Sequence, residues 1–352
     1  MKTADLLAAR MRSQGMADAR FADAESLVGW MGCVQAQDFG QAKWAVGMRC
    51  GVTEMEIDTA FNEGRLLRTH VLRPTWHFVL PADIGWMLRM TASRVKNFCL
   101  PYHRKLGIDA AILTRSKKVM IRAMEGGTSL TRTELAALLR AAKMDTSDIR
   151  MNFLLMDAEL DGLICSGPRK GKQFTYALLE ERAPGQVELD GDAALAELTR
   201  RYFMSRGPAT EADFAWWGGM TLGQARQGLE MVGKEVERIR VGEAEYWWCG
   251  PVGSGGMREV VLLPAYDEYA VGYKDRGGIV RMEHVKQTFH GLKPVVLVRG
   301  RVAGMWTRRV EKGKIIVEVS ALEKWSKVTE RGVRSEVKRF EAFATGGEAN
   351  RR

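Results

Sequence analysis

The chain has 352 residues, of which 46% are hydrophobic and 27% charged, a composition typical of a multidomain globular protein and not of a disordered one. An excess of 53 Lys and Arg over 43 Asp and Glu gives a net charge of +10, which favours phosphate-bearing partners. Five scattered cysteines without a CxxC pair argue against a disulfide framework, and a charged N-terminus without a long apolar stretch predicts a cytoplasmic protein with no membrane partner.

The first predicted unit covers residues 1–104 and consists of helices followed by two strands. The strands meet at a turn around Arg73 and Pro74, where Arg73 is a candidate for contact with phosphates. The spacing of apolar residues predicts helices near 3–14, 22–33 and 54–63.

The stretch VQAQD within this unit places Gln35 and Gln37 among apolar residues. Side chains at positions i and i+2 project to the same side only where the backbone is extended, because on a helix this spacing separates them by about 200°. We therefore predict that the preceding helix ends before Gln35 and that both amides point to one place. Glutamines beside a helix end also satisfy backbone groups in many proteins, and this structural alternative stays open.

The clearest unit covers residues 105–188, where three helices precede a strand hairpin, the order of a winged helix. Thr131 and Glu134 have the spacing of a capping box at the start of the second helix, and the third helix ends at Gly162. The tip of the hairpin carries cations that suit contact with phosphates, although a solvated basic turn explains them equally well. These cations are Arg169, Lys170 and Lys172.

The same order of helices and hairpin recurs in residues 189–257. The turn near Gly242 is acidic, so we expect this hairpin to face solvent or protein. The pair Trp216 and Trp217 is expected to fill the core of this unit.

From residue 258 the pattern changes to hairpins, with turns at Arg299–Gly300 and at 311–313, followed by an amphipathic helix. The segment 258–344 therefore predicts a small β-barrel with a C-terminal helix, and residues 345–352 predict a flexible tail. The predicted fold class is mainly α with β, with three tandem winged-helix units and a C-terminal small β-barrel.

Standard motifs for nucleotide, hydrolase or metal chemistry are absent from the sequence, since GxxxxGK[ST], GxGxxG after a strand, GxSxG and HExxH do not occur. The five histidines lack ligand spacing within a helix, and we expect no metal and no cofactor. For His77, in the first hairpin, a hydrogen-bonded position at the edge of a core is favoured over a catalytic role.

Five segments of the chain resemble a known family of proteins. They are VQAQD with KWAVGMR, RTHVLRPTWHFV, GPATEADFAWWGG, LLPAYDEYAVGYKDR and KPVVLVRGRVAGMW. Together, in this order, they resemble the AlkZ and YcaQ family of winged-helix DNA glycosylases over nearly the whole chain. The resemblance implies a C-shaped protein that acts in base excision repair and binds double-stranded DNA. It also implies the excision of alkylated purines, including N7-alkylguanines and interstrand crosslinks built on them.

The catalytic signature of this family is Gln, an apolar residue, then Gln or Asp, and here it reads Gln35-Ala36-Gln37. The resemblance implies that Gln35 and Gln37 position an attacking water in a monofunctional reaction. Alkylation at N7 puts positive charge on the base, so the demanding species is the oxocarbenium-like sugar that the water must meet. Candidate active-site neighbours of unassigned role are Asp38, His77 and Asp267.

Two interpretations from other classes stay open, a winged-helix transcription regulator without catalysis and an architectural DNA-binding protein. No heptad dimerisation helix is predicted, so we expect a monomer. The natural adduct is open, as are the roles of Asp267 and Tyr269. For the acidic pair that begins with Asp267, a solvated turn or a salt bridge to the nearby Arg276 is the common alternative. The candidate DNA-binding residues are Arg169, Lys170, Lys172 and Arg73.

Overall fold

The computed structural model describes residues 3–17, 21–147, 149–250, 257–288 and 293–347. The chain divides into two units. Unit 1 comprises Met1–Asp58 and Ala196–Arg352, and unit 2 comprises Thr59–Leu195. Most of the expected tail, residues 348–352, lies outside the described residues.

The N-terminal part of unit 1 contains helices that flank one very short strand. Helix α2 ends at Met31, and the residue that caps it is Gly32, whose φ of 74° is readily adopted only by glycine. Helix α3 is not predicted by the sequence pattern, because it is buried on almost every side and so lacks a polar face that would reveal its period. The elements are α1 (Thr3–Ser13), α2 (Ala24–Met31), β1 (Val34–Gln35), α3 (Phe39–Cys50) and α4 (Glu54–Glu63), of which α4 continues into unit 2.

Unit 2 continues with a hairpin and a long helix. The hairpin is the one that the sequence predicts, with Leu67 opposite Val79. The following helix has Pro81 in its first turn, where the missing N–H costs nothing, and it passes through Pro101, a residue that normally indicates a helix end. The elements are β2 (Leu67–His70), β3 (Trp76–Val79) and α5 (Pro81–Leu106).

The three helices and the hairpin predicted in the second half of unit 2 are confirmed. Thr131 and Glu134 form the predicted capping box of α7, and apolar side chains of all three helices share a core with the hairpin. A short strand joins the hairpin in a sheet of order β4-β6-β5. The elements are α6 (Ala110–Met124), β4 (Leu130–Thr131), α7 (Arg132–Ala141), α8 (Arg150–Leu160), β5 (Ile164–Ser166), β6 (Thr175–Leu178) and α9 (Leu179–Arg182).

A third set of helices with a hairpin leads back into unit 1, again as predicted. The hairpin turns at Gly242, which has a φ of 63°. Of the tryptophan pair expected in the core, Trp217 is fully buried but Trp216 is 46% exposed. The elements are α10 (Gly191–Arg206), α11 (Glu211–Gly218), α12 (Leu222–Val232), a 3-10 turn (Gly233–Glu235), β7 (Val236–Val241) and β8 (Ala244–Cys249).

The C-terminal strands form one antiparallel sheet of order β12-β11-β10-β9. The predicted turns at Arg299–Gly300 and at 311–313 are confirmed, but the chain after β9 forms the short helix α13 instead of a hairpin. The elements are β9 (Val260–Leu263), α13 (Glu268–Val271), α14 (Met282–Thr288), β10 (Val295–Val298), β11 (Arg301–Glu311), β12 (Lys314–Ala321) and α15 (Lys327–Thr345).

Within the described residues this sheet is open and does not close into the expected barrel, since β9 and β12 are its edges. Four strands are too few to enclose a packed interior, so apolar surface must be covered by another element. Helix α15 supplies the cover, because it packs on β9 and α3 and places Phe340 between Trp44 and Trp306.

Candidate active site

The segment from Cys33 to Asp38, called here the motif segment, is a short extended link between two helices of unit 1. Helix α2 ends at Met31, which confirms the prediction that it stops before Gln35. Strand β1 contains Gln35, and α3 begins at Phe39. Gln35 therefore lies on an extended backbone, as the sequence predicts, whereas Gln37 lies in the bend between β1 and α3.

The two glutamines of the motif segment have different environments. Gln35 is 6% exposed and its Oε1 accepts a hydrogen bond from the Gln37 backbone N–H at 3.1 Å, whereas Gln37 is exposed. This bond satisfies a backbone donor, as the structural alternative predicts for Gln35. An amide oxygen has two lone pairs, so Gln35 Oε1 keeps the capacity for one further hydrogen bond.

The neighbouring polar residues of α3 have structural contacts. Asp38 is exposed and caps α3, because its Oδ1 accepts from the Gln41 backbone N–H at 3.1 Å. Gln41 is buried and its Oε1 accepts from the backbone N–H of Ala265 at 3.1 Å. A carboxylate that caps a helix explains Asp38 without a catalytic role.

The backbone of the motif segment is held by Glu268, a residue that sequence reasoning did not assign. The Gln35 N–H donates to Glu268 Oε1 at 2.9 Å. The other oxygen of this buried carboxylate accepts from Arg206 Nη2 at 2.7 Å and from Trp217 Nε1 at 2.9 Å. One side chain of α13 thus connects Gln35 to α10 and α11.

Arg206 fixes the chain immediately before the motif segment and at its first residue. It is fully buried, and it donates from Nη1 to the carbonyl of Met31 at 2.8 Å and from Nη2 to that of Cys33 at 3.0 Å. Its guanidinium also lies over the ring of Trp217, 4.2 Å from the centroid. A buried cation with this many acceptors in place holds a rigid position.

Asp267, a predicted neighbour of the site, forms a second buried ion pair. Arg49 of α3 donates to both of its oxygens, at 2.7 and 2.8 Å. The bidentate partner therefore lies 218 residues away in the sequence, and the pairing with Arg276 that proximity suggests is wrong for Asp267. Asp267 also caps α13 by accepting from the Tyr269 N–H at 2.8 Å.

A chain of hydrogen bonds links the two ion pairs. Arg49 donates to Gln14 Oε1 at 3.0 Å, Gln14 Nε2 donates to the Tyr273 hydroxyl at 3.1 Å, and that hydroxyl donates to the Arg206 carbonyl at 2.8 Å. Burial raises the pKa of Tyr273 to about 12, so its hydroxyl stays protonated and can donate. The sequence signal for this network was the pair of adjacent acidic residues, Asp267 and Glu268, in an aromatic stretch. The sequence near this pair does not indicate which distant residues bind it.

The remaining predicted neighbour and one DNA-binding candidate lie in unit 2. His77 on β3 is fully buried and its Nδ1 is hydrogen-bonded to the Thr75 carbonyl at 2.9 Å. Arg73 lies in the turn between β2 and β3, where its N–H donates to the Val71 carbonyl at 2.6 Å. The structure thus does not group these residues with Gln35 inside one unit.

The turn between β5 and β6, called here the basic wing, carries the other three predicted DNA-binding residues. Arg169 is half-buried and donates to the Lys172 carbonyl at 3.1 Å, with its guanidinium 5.3 Å from the centroid of the Phe174 ring. Lys170 is exposed and pairs with Glu134 at 3.3 Å. Lys172 is exposed. The three cations of the basic wing therefore differ in how many contacts they make within the protein.

Within the ranges that the structure describes, no three or more His, Cys, Asp or Glu side chains are grouped so that they could hold a metal ion. None of the helices in those ranges combines the length and the apolar character needed to cross a membrane.

The family model for "DNA glycosylase AlkZ-like" matches residues 28–343, which is most of the chain and includes the motif segment, Arg206 and Glu268. The chain belongs to the AlkZ-like DNA glycosylase family. The resemblance that its five segments carry is therefore confirmed.

Two comparisons within this family give the extent of the similarity. The interstrand DNA cross-link repair glycosylase of Streptomyces sahachiroi is 24% identical over 317 residues, which cover 84% of this chain and 85% of that protein. The solved structure of Streptomyces sahachiroi DNA glycosylase AlkZ matches with a TM-score of 0.82 at 22% identity, over 99% of this chain and 98% of that chain. The two chains therefore share one mixed α and β fold.

Proposed function

We propose that this protein is a monofunctional DNA glycosylase that excises alkylated purines, N7-alkylguanine in particular, by attack of water on the sugar. The observation that carries the proposal is the motif segment, in which Gln37 is exposed in the bend after β1 and its N–H donates to Gln35 Oε1 at 3.1 Å. Family membership supplies the reaction class, and the motif segment supplies groups that can orient a water without adding a buried charge.

The proposed mechanism uses the two amides unequally. Alkylation at N7 leaves a cationic base that departs with little need of protonation, and the oxocarbenium-like sugar is then met by the water. The amide oxygen of Gln37 accepts a hydrogen bond from one O–H of this water, and the second lone pair of Gln35 Oε1 accepts a hydrogen bond from the other. The water oxygen then bonds to C1′ of the sugar, from which the base has departed with the electron pair of the glycosidic bond, and the extra proton on this oxygen passes to solvent. The bond from the Gln37 N–H to Gln35 Oε1 holds the Gln35 amide close to Gln37, so that both amides can bind the same water.

The expectation of a monofunctional reaction is supported by the state of the nearest lysine in the sequence. A covalent mechanism requires an amine that can reach the sugar. The ammonium of Lys43 is buried and bonded to Asp58 at 2.8 and 2.9 Å and to Glu54 at 2.7 Å. Borohydride should therefore trap no adduct between the protein and DNA, and a trapped adduct would refute the water mechanism.

For DNA binding, we infer that residues 1–104, 105–188 and 189–257 act as winged-helix units on duplex DNA. The order of three helices and a hairpin in the second and third of these ranges supports the inference. The basic wing is the proposed contact to phosphates, because exposed flexible cations bind the backbone without reading sequence. By relation to the Streptomyces protein, crosslinks built on N7-alkylguanine are proposed as further substrates.

The test is incubation of the purified protein with duplex DNA that contains N7-methylguanine, followed by alkaline cleavage at abasic sites. We expect strand breaks at the lesion with the wild-type protein and none with the double variant Gln35→Ala/Gln37→Ala. If the strand stays intact with the folded wild-type protein, the proposed glycosylase activity is refuted, and a DNA-binding protein without catalysis becomes the favoured interpretation.

A further inference from the structure

The backbone of the motif segment is bonded to residues of other elements of unit 1. Its internal hydrogen bond, from the Gln37 N–H to Gln35 Oε1, only orients one glutamine relative to the other. The bonds on the Gln35 N–H and on the carbonyls of Met31 and Cys33 come from Glu268 and Arg206.

We propose that Glu268 and Arg206 form a clamp that positions the two glutamines for water attack, and that Glu268 is its central positioning residue. The proposal rests on the proposed function of these glutamines. Neither clamp residue is proposed to touch substrate or the attacking water. They act by holding the backbone on which Gln35 and Gln37 are placed.

The hydrogen bonds of Glu268 require a carboxylate. Its Oε1 accepts from the Gln35 N–H at 2.9 Å, and its Oε2 accepts from Arg206 Nε at 3.0 Å, from Arg206 Nη2 at 2.7 Å and from Trp217 Nε1 at 2.9 Å. Every one of these neighbours is a donor, and an ionised carboxylate is the side chain of this shape that accepts on both oxygens. Because Glu268 is 1% exposed, water does not replace a lost acceptor there.

The substitution Glu268→Gln therefore breaks one predictable bond. A glutamine has one acceptor oxygen and one donor nitrogen. Three donors face the position of Oε2, two of them from a guanidinium, so the amide oxygen takes that side. The amide nitrogen then faces the Gln35 N–H, two donors oppose each other, and the motif segment loses its bond to α13.

A displaced motif segment should lower the rate without lowering DNA affinity. Gln35 and Gln37 act on the water in the transition state, and displacements of about 1 Å can cost about a hundredfold in rate. For Glu268→Gln we expect single-turnover excision of N7-methylguanine to fall by roughly ten- to a hundredfold per folded molecule. The dissociation constant for DNA should change by less than about twofold, because phosphates are bound elsewhere.

The matched control is Asp213→Asn, which makes the same chemical change at another buried carboxylate of unit 1. Asp213 is 2% exposed, pairs with Arg10 at 3.4 Å and accepts from the Lys274 N–H at 2.9 Å. We expect a loss of thermal stability similar to that of Glu268→Gln, with excision within about threefold of the wild type. If Glu268→Gln does not fold, Trp217→Phe serves instead, because it removes one bond to Glu268 and leaves the ion pair in place.

A second measurement tests the clamp independently of excision activity. Hydrogen exchange of the Gln35 backbone amide reports the bond to Glu268 directly. We expect this amide to exchange at least about tenfold faster in Glu268→Gln, and by a smaller factor in Trp217→Phe, while Asp213→Asn leaves it unchanged.

The outcomes separate the clamp from the proposed function. If the wild-type protein excises the base and folded Glu268→Gln does so within threefold, the clamp is overturned and the function stands. If the wild-type protein does not excise, the function is overturned, and the exchange of the Gln35 amide alone decides whether Glu268 holds the segment. An unchanged exchange rate in Glu268→Gln overturns the clamp in either case.

Discussion

The motif segment and the basic wing both carry polar side chains assigned to function, but they are stabilised in opposite ways. The motif segment is held by buried residues from α10, α11 and α13, far away in the sequence. The basic wing is a local turn in which Lys170 pairs across to Gln173 through backbone hydrogen bonds in both directions. The motif segment depends on distant residues, whereas the basic wing is closed by a local turn, to which the bond from the Arg169 N–H to Asn62 Oδ1 at 2.9 Å adds one contact distant in the sequence.

This difference predicts different responses to substitution. In the motif segment a lost acceptor stays unpaired, because water does not reach it, and the position of the glutamines changes. In the basic wing a removed cation is replaced by water and salt ions, so only the electrostatic contribution to binding changes. Substitutions in both regions test this contrast.

The largest effect is expected at the glutamines themselves. Gln37→Ala and Gln35→Ala should each lower single-turnover excision of N7-methylguanine by about a hundredfold or more at nearly constant DNA affinity. The double variant should be little worse than the worse single variant, as expected when two groups act on one water. Gln37→Asp should be tolerated better than Gln37→Ala, because it supplies a carboxylate acceptor.

Thermal stability separates this prediction from the structural alternative. Gln35→Ala removes the acceptor of the Gln37 N–H and should cost about 1 kcal/mol, whereas Gln37 is exposed and its loss should cost almost none. The control is Gln41→Ala, which removes the acceptor of the Ala265 N–H and should lower stability alone. Full activity in the folded double variant would contradict the catalytic assignment.

The next effect concerns a buried carboxylate of unit 1 that is less well paired than Glu268. Burial raises the pKa of Glu336 from 4.5 to about 7, opposed by the charge of Arg258. Its Oε2 has no hydrogen-bond partner among the described residues. Because the folded pKa lies above the unfolded value, its contribution to stability is complete below pH 4.5 and is lost as the pH rises through 7.

Glu336→Gln should remove this dependence. The free energy of unfolding of the wild type relative to the variant should decrease by up to about 3 kcal/mol between about pH 4.5 and 8. Denaturant titrations at several pH values measure the difference. A constant difference across this range would show that Glu336 does not change its protonation on folding. Exposed Glu134→Gln is the control and should give a much flatter difference.

A smaller effect is expected in the basic wing. Replacing Arg169, Lys170 and Lys172 together by alanine should weaken duplex binding by about tenfold and flatten the log-log dependence on salt by about 0.9 for each phosphate that is no longer neutralised. The matched control is Arg238→Ala/Arg240→Ala in the third hairpin, where both cations lie near Glu245. An unchanged slope in the triple variant would remove the basic wing from the interface.

The smallest effect is expected on releasing Lys170 of the basic wing from its ion pair with Glu134. Glu134 pairs with Lys170 and also accepts from the Thr131 N–H in the capping box. Glu134→Gln keeps an acceptor for the cap and releases Lys170, so DNA affinity should rise by less than about threefold. The gain should vanish when Lys170→Ala is added. A gain that persists there would point to general repulsion by Glu134.

The sequence by itself determined the elements whose signals are local. The capping box at Thr131 and Glu134, the turns at Gly242 and Gly300, and the end of a helix before Gln35 all follow from a few neighbouring residues. Five ordered segments were sufficient to indicate the family. The spacing of Gln35 and Gln37 predicted an extended backbone, which the structure has at Gln35 but not at Gln37, where the chain bends.

Only the tertiary structure decided how these parts are held. Helix α3 escaped prediction because its burial on almost all sides removed the amphipathic period, and the expected barrel is an open sheet covered by α15. The partners of Asp267 and Glu268 lie 218 and 62 residues away. A buried carboxylate needs a cation, but local sequence does not encode which distant arginine the fold brings to it.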